Sequence, residues 1–317
     1  MKLDERHLVQ LAAVIQAGGV NEGAALLGLS QPAVSRTLSM LEKRIGEPLF
    51  VKGRRPLQPT PLGRALAEHG QTMLTASRKA SEMVESFRRG GSGVVRVAGT
   101  PFFMDGLISG MIAGFQNAYP DVRIDQTYGY FPALRAALSA DRIDLAICPI
   151  DLLDEGSGLA FGPLLPGRNV VACGATHPLL MQRRPDPRAL LDYPWIAPPP
   201  DSPLLADLTS LILSLGATEP KIRYTGGSLI GVLNVMKATN ALTILPESVV
   251  FALRAERAVT ALPFTVPHPE RELGLLRGAG AASSPAVERF ARHIHARTAA
   301  LRTEMERHAQ AAARGKG

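Results

Sequence analysis

Cysteine is nearly absent: Cys148 and Cys173 are the only two in the chain. Two thiols cannot build a disulfide framework, which points to a reducing compartment. Aromatic residues make up 5% of the chain, with a single tryptophan, so any local cluster of rings stands out. No apolar run approaches the ~18 residues of a membrane span, and acids at Asp4 and Glu5 argue against a secretory leader. A cytoplasmic protein with no membrane partner is expected. Catalytic signatures are missing as well. Gly226-Gly227-Ser228-Leu229-Ile230 lacks the closing glycine of a nucleophile elbow. Gly278-Ala279-Gly280 is followed by Ser283 where a dinucleotide fingerprint needs its third glycine. His293 and His295 point to roughly opposite sides of a predicted helix, and no cysteine pair has zinc spacing. The expectation is therefore no enzyme, no cofactor and no metal site.

What is present is a globular composition: 317 residues, 46% hydrophobic and 20% charged, enough for two or three domains. Lys and Arg (35) outnumber Asp and Glu (28), and residues 1–90 hold 13 of the former against 8 of the latter. Most of the basic excess thus lies at the start of the chain, where an anionic partner is allowed. The run Arg88-Arg89-Gly90-Gly91-Ser92-Gly93 cannot sustain a helix and reads as a joint.

Before the joint the pattern is helical. Leu8, Leu11, Ala12 and Ile15 share a face of a first helix over about 4–17, ended by Gly18-Gly19. A second helix is expected over about 21–27 with Asn21 as its N-cap, and a third from Ser30 to about Ile45. Ser30 is placed as the N-cap of the third helix, Pro32 lies in its first turn, and Gly46 ends it. Val34, Leu38, Leu41 and Ile45 face inward. Gln31, Ser35, Arg36, Ser39 and Lys43 face outward. Two helices joined by a tight glycine turn, the second polar and basic outside, form a helix-turn-helix pattern. Gln and Arg are the side chains that read adenine and guanine edges. Pro48, Pro56, Pro59 and Pro61 keep 47–61 extended, and Lys52, Arg54 and Arg55 give this wing its phosphate-binding charge. A long helix follows from Pro61 to about Phe87. Its positions Leu62, Leu66, His69, Met73, Ala76, Ala80, Met83 and Phe87 form a heptad seam, for which a second copy of the chain is the simplest partner. The competing reading packs that seam on the chain's own head.

The run Ala24, Leu27, Ser30-Gln31-Pro32-Ala33-Val34-Ser35-Arg36, Leu41-Glu42, Gly46, Leu49-Phe50, Thr60 and Gly63 resembles the N-terminal domain of LysR-type transcriptional regulators. The resemblance implies that Gln31, Pro32, Ser35 and Arg36 face the major groove of double-stranded DNA and that Lys52, Arg54 and Arg55 belong to the wing. It also implies a homotetramer built as a dimer of dimers. The chain departs from the family pattern at Gly19, Gly23, Lys52 and Pro59. By helix propensity alone, Gly23 inside the second helix should cost about 1 kcal/mol relative to Ala.

After the joint, strands at 94–99, 122–128 and 143–148 alternate with helices, which predicts a parallel sheet with helices on its faces. A second α/β unit begins near Asn169. The expected class is α plus α/β: a winged helix-turn-helix (1–60), a linker and dimerisation helix with hinge (61–90), and a two-lobed effector-binding domain (91–317). Lobe 1 takes about 91–165 and 268–317, and lobe 2 about 166–267. Such lobes, resembling periplasmic binding proteins, hold a small molecule between strand ends. The candidate effector residues are Thr100, Pro101, Phe102, Tyr128, Tyr130, Phe131, Pro149, Ser202 and Ser228. Thr100, Ser202 and Ser228 are placed at helix N-termini, which suit a carboxylate, and Phe102, Tyr128, Tyr130 and Phe131 form an aromatic wall. A small organic acid is the expected effector. The alternatives are a thiol-based redox sensor using Cys148 and Cys173, and an enzyme or solute-binding protein carrying a DNA-binding head.

Overall fold

A computed structural model describes residues 3–51, 53, 56–88, 93–150, 157–254, 259–279 and 283–314. The chain divides into two compact units, Met1–Gly90 with Ala140–Arg142 and Gly91–Ser139 with Ile143–Gly317.

The first unit is built from α1 (Glu5–Ala17), α2 (Val20–Leu26), α3 (Gln31–Ile45) and α4 (Pro61–Arg88). Asp4 caps α1 by accepting from the Arg6 amide at 2.9 Å. The apolar faces of the first three helices meet in one core of Leu8, Leu11, Val14, Ala24, Val34, Leu38 and Leu41. Gly28, at φ +65°, and Gly46, at φ +84°, take the left-handed conformation that ends a helix without a Cβ penalty. Between α3 and α4, Phe50 and Pro59 form an antiparallel bridge. The wing is pinned at both ends. Glu42 Oε1 accepts from the Leu49 amide at 2.7 Å, and Thr60 Oγ1 donates to the Pro48 carbonyl while accepting from the Gly63 amide.

The second helix begins at Val20 with Gly19 as its cap, not at Asn21. Gly19 holds extended φ/ψ of −167°/159°, so the turn out of α1 runs directly into the next helix. Gly23 has a structural reason. A Cβ there would lie 2.6 Å from the Val14 Cα, so α1 and α2 approach too closely for any side chain. Gly23→Ala should therefore destabilise the first unit by about 1–3 kcal/mol through overpacking, although propensity alone favours Ala. Thermal unfolding of the full chain followed by circular dichroism measures this; a raised midpoint would contradict it.

The long helix divides its duties differently from the expected seam. Its small residues face α1: Ala67 is buried, and a Cβ on Gly70 would strike the Leu8 carbonyl. Leu66 and Met73 pack beside them against the head core. Leu62, His69, Ala76 and Ala80 remain exposed. The first half of the seam is thus partly used within the chain, and an exposed stripe remains for a partner. The side chains of Met83 and Phe87 lie outside the described residues.

Among the described residues the second unit holds a five-stranded, a three-stranded and a two-stranded sheet. In lobe 1, β1 (Gly93–Gly99) pairs in parallel with β2 (Val122–Tyr128) and β3 (Leu145–Ile150). β10 (Glu272–Gly278) runs antiparallel between β3 and β4 (Leu159–Pro166). The order is β2-β1-β3-β10-β4. Its faces are covered by α5 (Pro101–Phe103), continued through a π-turn over Met104–Ile108 into α6 (Ser109–Ala118), and by α7 (Phe131–Ser139) and α11 (Pro285–Arg314). In lobe 2, β5 (Asn169–Gly174) pairs antiparallel with β8 (Thr243–Pro246) and β9 (Val259–Thr265), and β6 (Trp195–Ala197) pairs in parallel with β7 (Ile222–Thr225). Backbone bonds from the Ile196 amide to the Leu242 carbonyl and from the Leu242 amide to the Pro194 carbonyl join these into one layer. Its helices are α8 (Pro203–Ser214), α9 (Leu229–Ala238) and α10 (Glu247–Leu253). The chain crosses between lobes twice, after β4 and before β10. The two crossings are tied by the Gly167 amide donating to the Arg271 carbonyl at 2.8 Å.

Candidate functional site

Two regions gather the residues singled out by the sequence. In the first unit, burying Val34, Thr37, Leu38 and Leu41 turns the other side of α3 outward. Ser30, Gln31, Pro32, Arg36, Ser39 and Lys43 are exposed and Ser35 is half-buried. Ser30 stands at the N-cap, but its hydroxyl makes no capping bond. Its carbonyl takes the amides of Ala33 and Val34 instead, which leaves the exposed hydroxyl available to an outside partner. Pro32 in the first turn has no N–H, so it leaves no unsatisfied amide at the open end of the helix. Exposed Met40 adds an apolar spot to the same face. The wing residues Lys52, Arg54 and Arg55 lie outside the described residues.

In the second unit a cleft of about 470 Å³ opens between the lobes, a size suited to a small molecule. Thr100, Tyr130, Phe131, Pro149 and Ser202 line it. Thr100 follows β1 and starts the helical run of α5, and its own carbonyl accepts from the Met104 amide. Ser202 caps α8, its hydroxyl accepting from the Leu204 amide at 3.4 Å. Tyr130 lies against the opposite lobe. Burial raises its phenol above the ordinary range, Asp201 adds to the rise, and a hydrogen bond from Ser202 pulls the other way.

The remaining expected residues stand elsewhere. Phe102 is 5% exposed and belongs to the core; it borders only a narrow recess beside the cleft, with Thr100 and Pro149. Pro101 occupies the first turn of α5. Tyr128 is exposed and donates to Asp105 Oδ1 at 2.6 Å, which raises its phenol too. Ser228 is exposed and caps α9 through the Gly231 amide, and it is not part of the cleft lining.

Sequence reasoning missed a charged group at the cleft. Arg271, in the second crossing, lines both the cleft and the recess. Its Nη1 donates to Asp207 Oδ2 at 2.7 Å, and the same oxygen accepts from Asn169 Nδ2 at 2.7 Å. The side chains of Arg271 and Asp207 are 9% and 2% exposed. The cluster ties α8 of lobe 2 to the start of β5 and to the second crossing. The one available signal was Asp207 itself, the lone charged residue in the run 203–214.

Cys148 lies in β3 and Cys173 in β5, in separate clusters of buried residues. Burial pushes each thiol up to about 12. The nucleophilic thiolate is correspondingly scarce at neutral pH. Native protein at pH 8 should take up essentially no iodoacetamide over an hour and two equivalents once unfolded, as read by mass spectrometry. Rapid native alkylation at either position would contradict this account.

Family comparison bears on both regions. Residues 6–64 match the bacterial regulatory helix-turn-helix protein, lysR family, and residues 88–299 match the LysR substrate binding domain. The chain is 30% identical over 181 residues to the SDS degradation transcriptional activation protein of Pseudomonas sp. (strain ATCC 19151), a match covering 57% of this chain and 59% of that one. It is 28% identical over 311 residues to the transcriptional activator protein LysR of Escherichia coli (strain K12), covering 95% of each. Among solved structures, full-length CbnR complexed with its target DNA superposes with a TM-score of 0.61 at 18% identity, covering 93% of this chain and 100% of that one. The two domain matches together span most of the sequence, in the order of the two units: the chain belongs to the LysR family of bacterial regulatory proteins.

Proposed function

We propose that this protein is a sequence-specific DNA-binding transcriptional regulator, not an enzyme, switched by a small organic acid held between the lobes of its second unit. The observation that carries the DNA reading is the outward face of α3. Gln31 at the helix start and Arg36 five residues on are both exposed, on a helix whose buried side closes the head core. Gln31 and Arg36 are the base-reading groups, Ser30, Pro32 and Ser35 fit the helix start against the duplex, and Lys52, Arg54 and Arg55 hold phosphates from the wing. The relative solved with its target DNA supports the same role. Binding should weaken steeply with salt, because each neutralised phosphate releases counterion.

Support for an acid comes from the donors at the cleft. Helix starts at Thr100 and Ser202 lie on its lining, and the guanidinium of Arg271, paired with Asp207, stands at the same wall, with Asp201 opposed to it. Tyr130 and Phe131 supply flat apolar contact. Calorimetry of the full chain against a set of small carboxylates, with the matching amides as controls, tests this. Heat from at least one acid and none from its amide is expected; amide binding as tight as the acid would overturn the acid assignment. Effector binding acts on DNA only through differential affinity for two lobe arrangements. Pairing through the seam of 62–87, of which Leu62, His69, Ala76 and Ala80 are exposed, and assembly to a homotetramer complete the reading. Sedimentation of the full chain, expected at four copies, tests this.

A further inference from the structure

A cavity larger than the cleft also lies in the second unit. On the two crossings a groove of about 880 Å³ is lined by Ile150, Phe161, Pro166, Arg168, Val170 and Phe264, among others, and by the carboxylates Glu247, Glu270 and Glu272. Its floor is apolar: Ile150 and Val266 are buried. Two half-buried phenyl rings form its walls, that of Phe161 lying across the bare backbone of Gly274, where a Cβ would collide with the ring. Its lining holds more carboxylates than cations. Arg271 is balanced by Asp207, which leaves Arg168 against three carboxylates, in a chain whose overall charge is +7. Glu247 is half-buried in the first turn of α10, and its amide is held by the Arg168 carbonyl at 2.8 Å. The groove edge is therefore a fixed part of the fold and not a loose surface loop.

An apolar floor, ring walls and an acidic rim together match one ligand class. Phenyl faces attract a cation, carboxylates attract it over a longer range, and the floor accepts a hydrocarbon body. We infer that this groove is a second ligand site, taking an organic ammonium ion with an aromatic or aliphatic body. Because its walls are the crossings, an amine seated there bears on the same segment that carries Arg271 to the cleft. The two sites are then linked reciprocally. The assignment does not rest on what fills the cleft.

The test is calorimetric titration of the full chain with 2-phenylethylammonium, with 3-phenylpropionate as the charge-reversed probe. The ammonium ion should bind saturably and lose affinity with added salt. The double variant Glu270→Gln, Glu272→Gln should weaken it about tenfold. Both substituted side chains are exposed, so the variant should keep the wild-type unfolding midpoint and DNA affinity. Absence of saturable ammonium binding would overturn the inference, as would binding indifferent to the double variant or equalled by 3-phenylpropionate in its dependence on that variant.

Discussion

Asp207→Ala should lower the unfolding free energy of the second unit by about 3 kcal/mol, at the lower end of what breaking a buried ion pair costs. The Asp207 side chain is 2% exposed, and its Oδ2 accepts from both Arg271 and Asn169. Removing it takes away the counter-charge of a guanidinium that is 9% exposed and strands a buried amide, two penalties that exceed the transfer gain of a smaller side chain. Asp207→Asn keeps an acceptor but not the charge and should fall between. Urea unfolding of the full chain measures both. Because Arg271 lines the cleft, the Ala variant should also lose affinity for any acid that the cleft binds. An Asp207→Ala protein within about 0.5 kcal/mol of wild type, the ordinary range for an inconsequential surface change, would show that the cluster is not what holds α8 to β5 and the second crossing.

The second large effect concerns DNA. Gln31→Ala and Arg36→Ala should each remove about 1–3 kcal/mol of discrimination between a target site and scrambled DNA, a change of about 5- to 150-fold in the affinity ratio. Non-specific affinity should change less. Both side chains are exposed and outside the head core, so the variants should fold as wild type. Arg54→Ala should instead weaken binding to all sequences about equally and reduce the salt slope by about one. Filter binding against matched and scrambled duplexes at several salt concentrations separates the two behaviours. Equal loss of specificity in all three variants would refute the division of roles.

Much of the fold was legible where a single strong signal operates. Helix ends at Gly18 and Gly46 followed from glycine's left-handed freedom. The third helix starts after Ser30 as expected, although the Ser30 hydroxyl makes no capping bond. The alternation of strands and helices followed from β-branched runs between helical ones. Asn21 misled because an N-cap preference is weaker than the geometry of a two-glycine turn. Gly23 misled because propensity describes an isolated helix, whereas its neighbour Val14 approaches from another helix. The cleft was legible at Thr100, Tyr130, Phe131, Pro149 and Ser202 because they lie at or just beyond strand ends. Tyr128 and Phe102 lie at such ends too, yet one turns to Asp105 and the other into the core, a choice of rotamer and packing that spacing does not encode. The Arg271–Asp207–Asn169 cluster joins residues 64 and 38 positions apart, and the groove is assembled from segments just as distant, so neither leaves a local pattern.

The central claim is that the outward face of α3 reads a base sequence. Selection of bound duplexes from a random pool by the full chain, at moderate salt, tests it most directly. The account predicts enrichment of one motif with two-fold symmetry, lost when Gln31 and Arg36 are both replaced by Ala. A pool that stays random under wild-type selection at every salt concentration, or a motif that the double variant enriches unchanged, would contradict it.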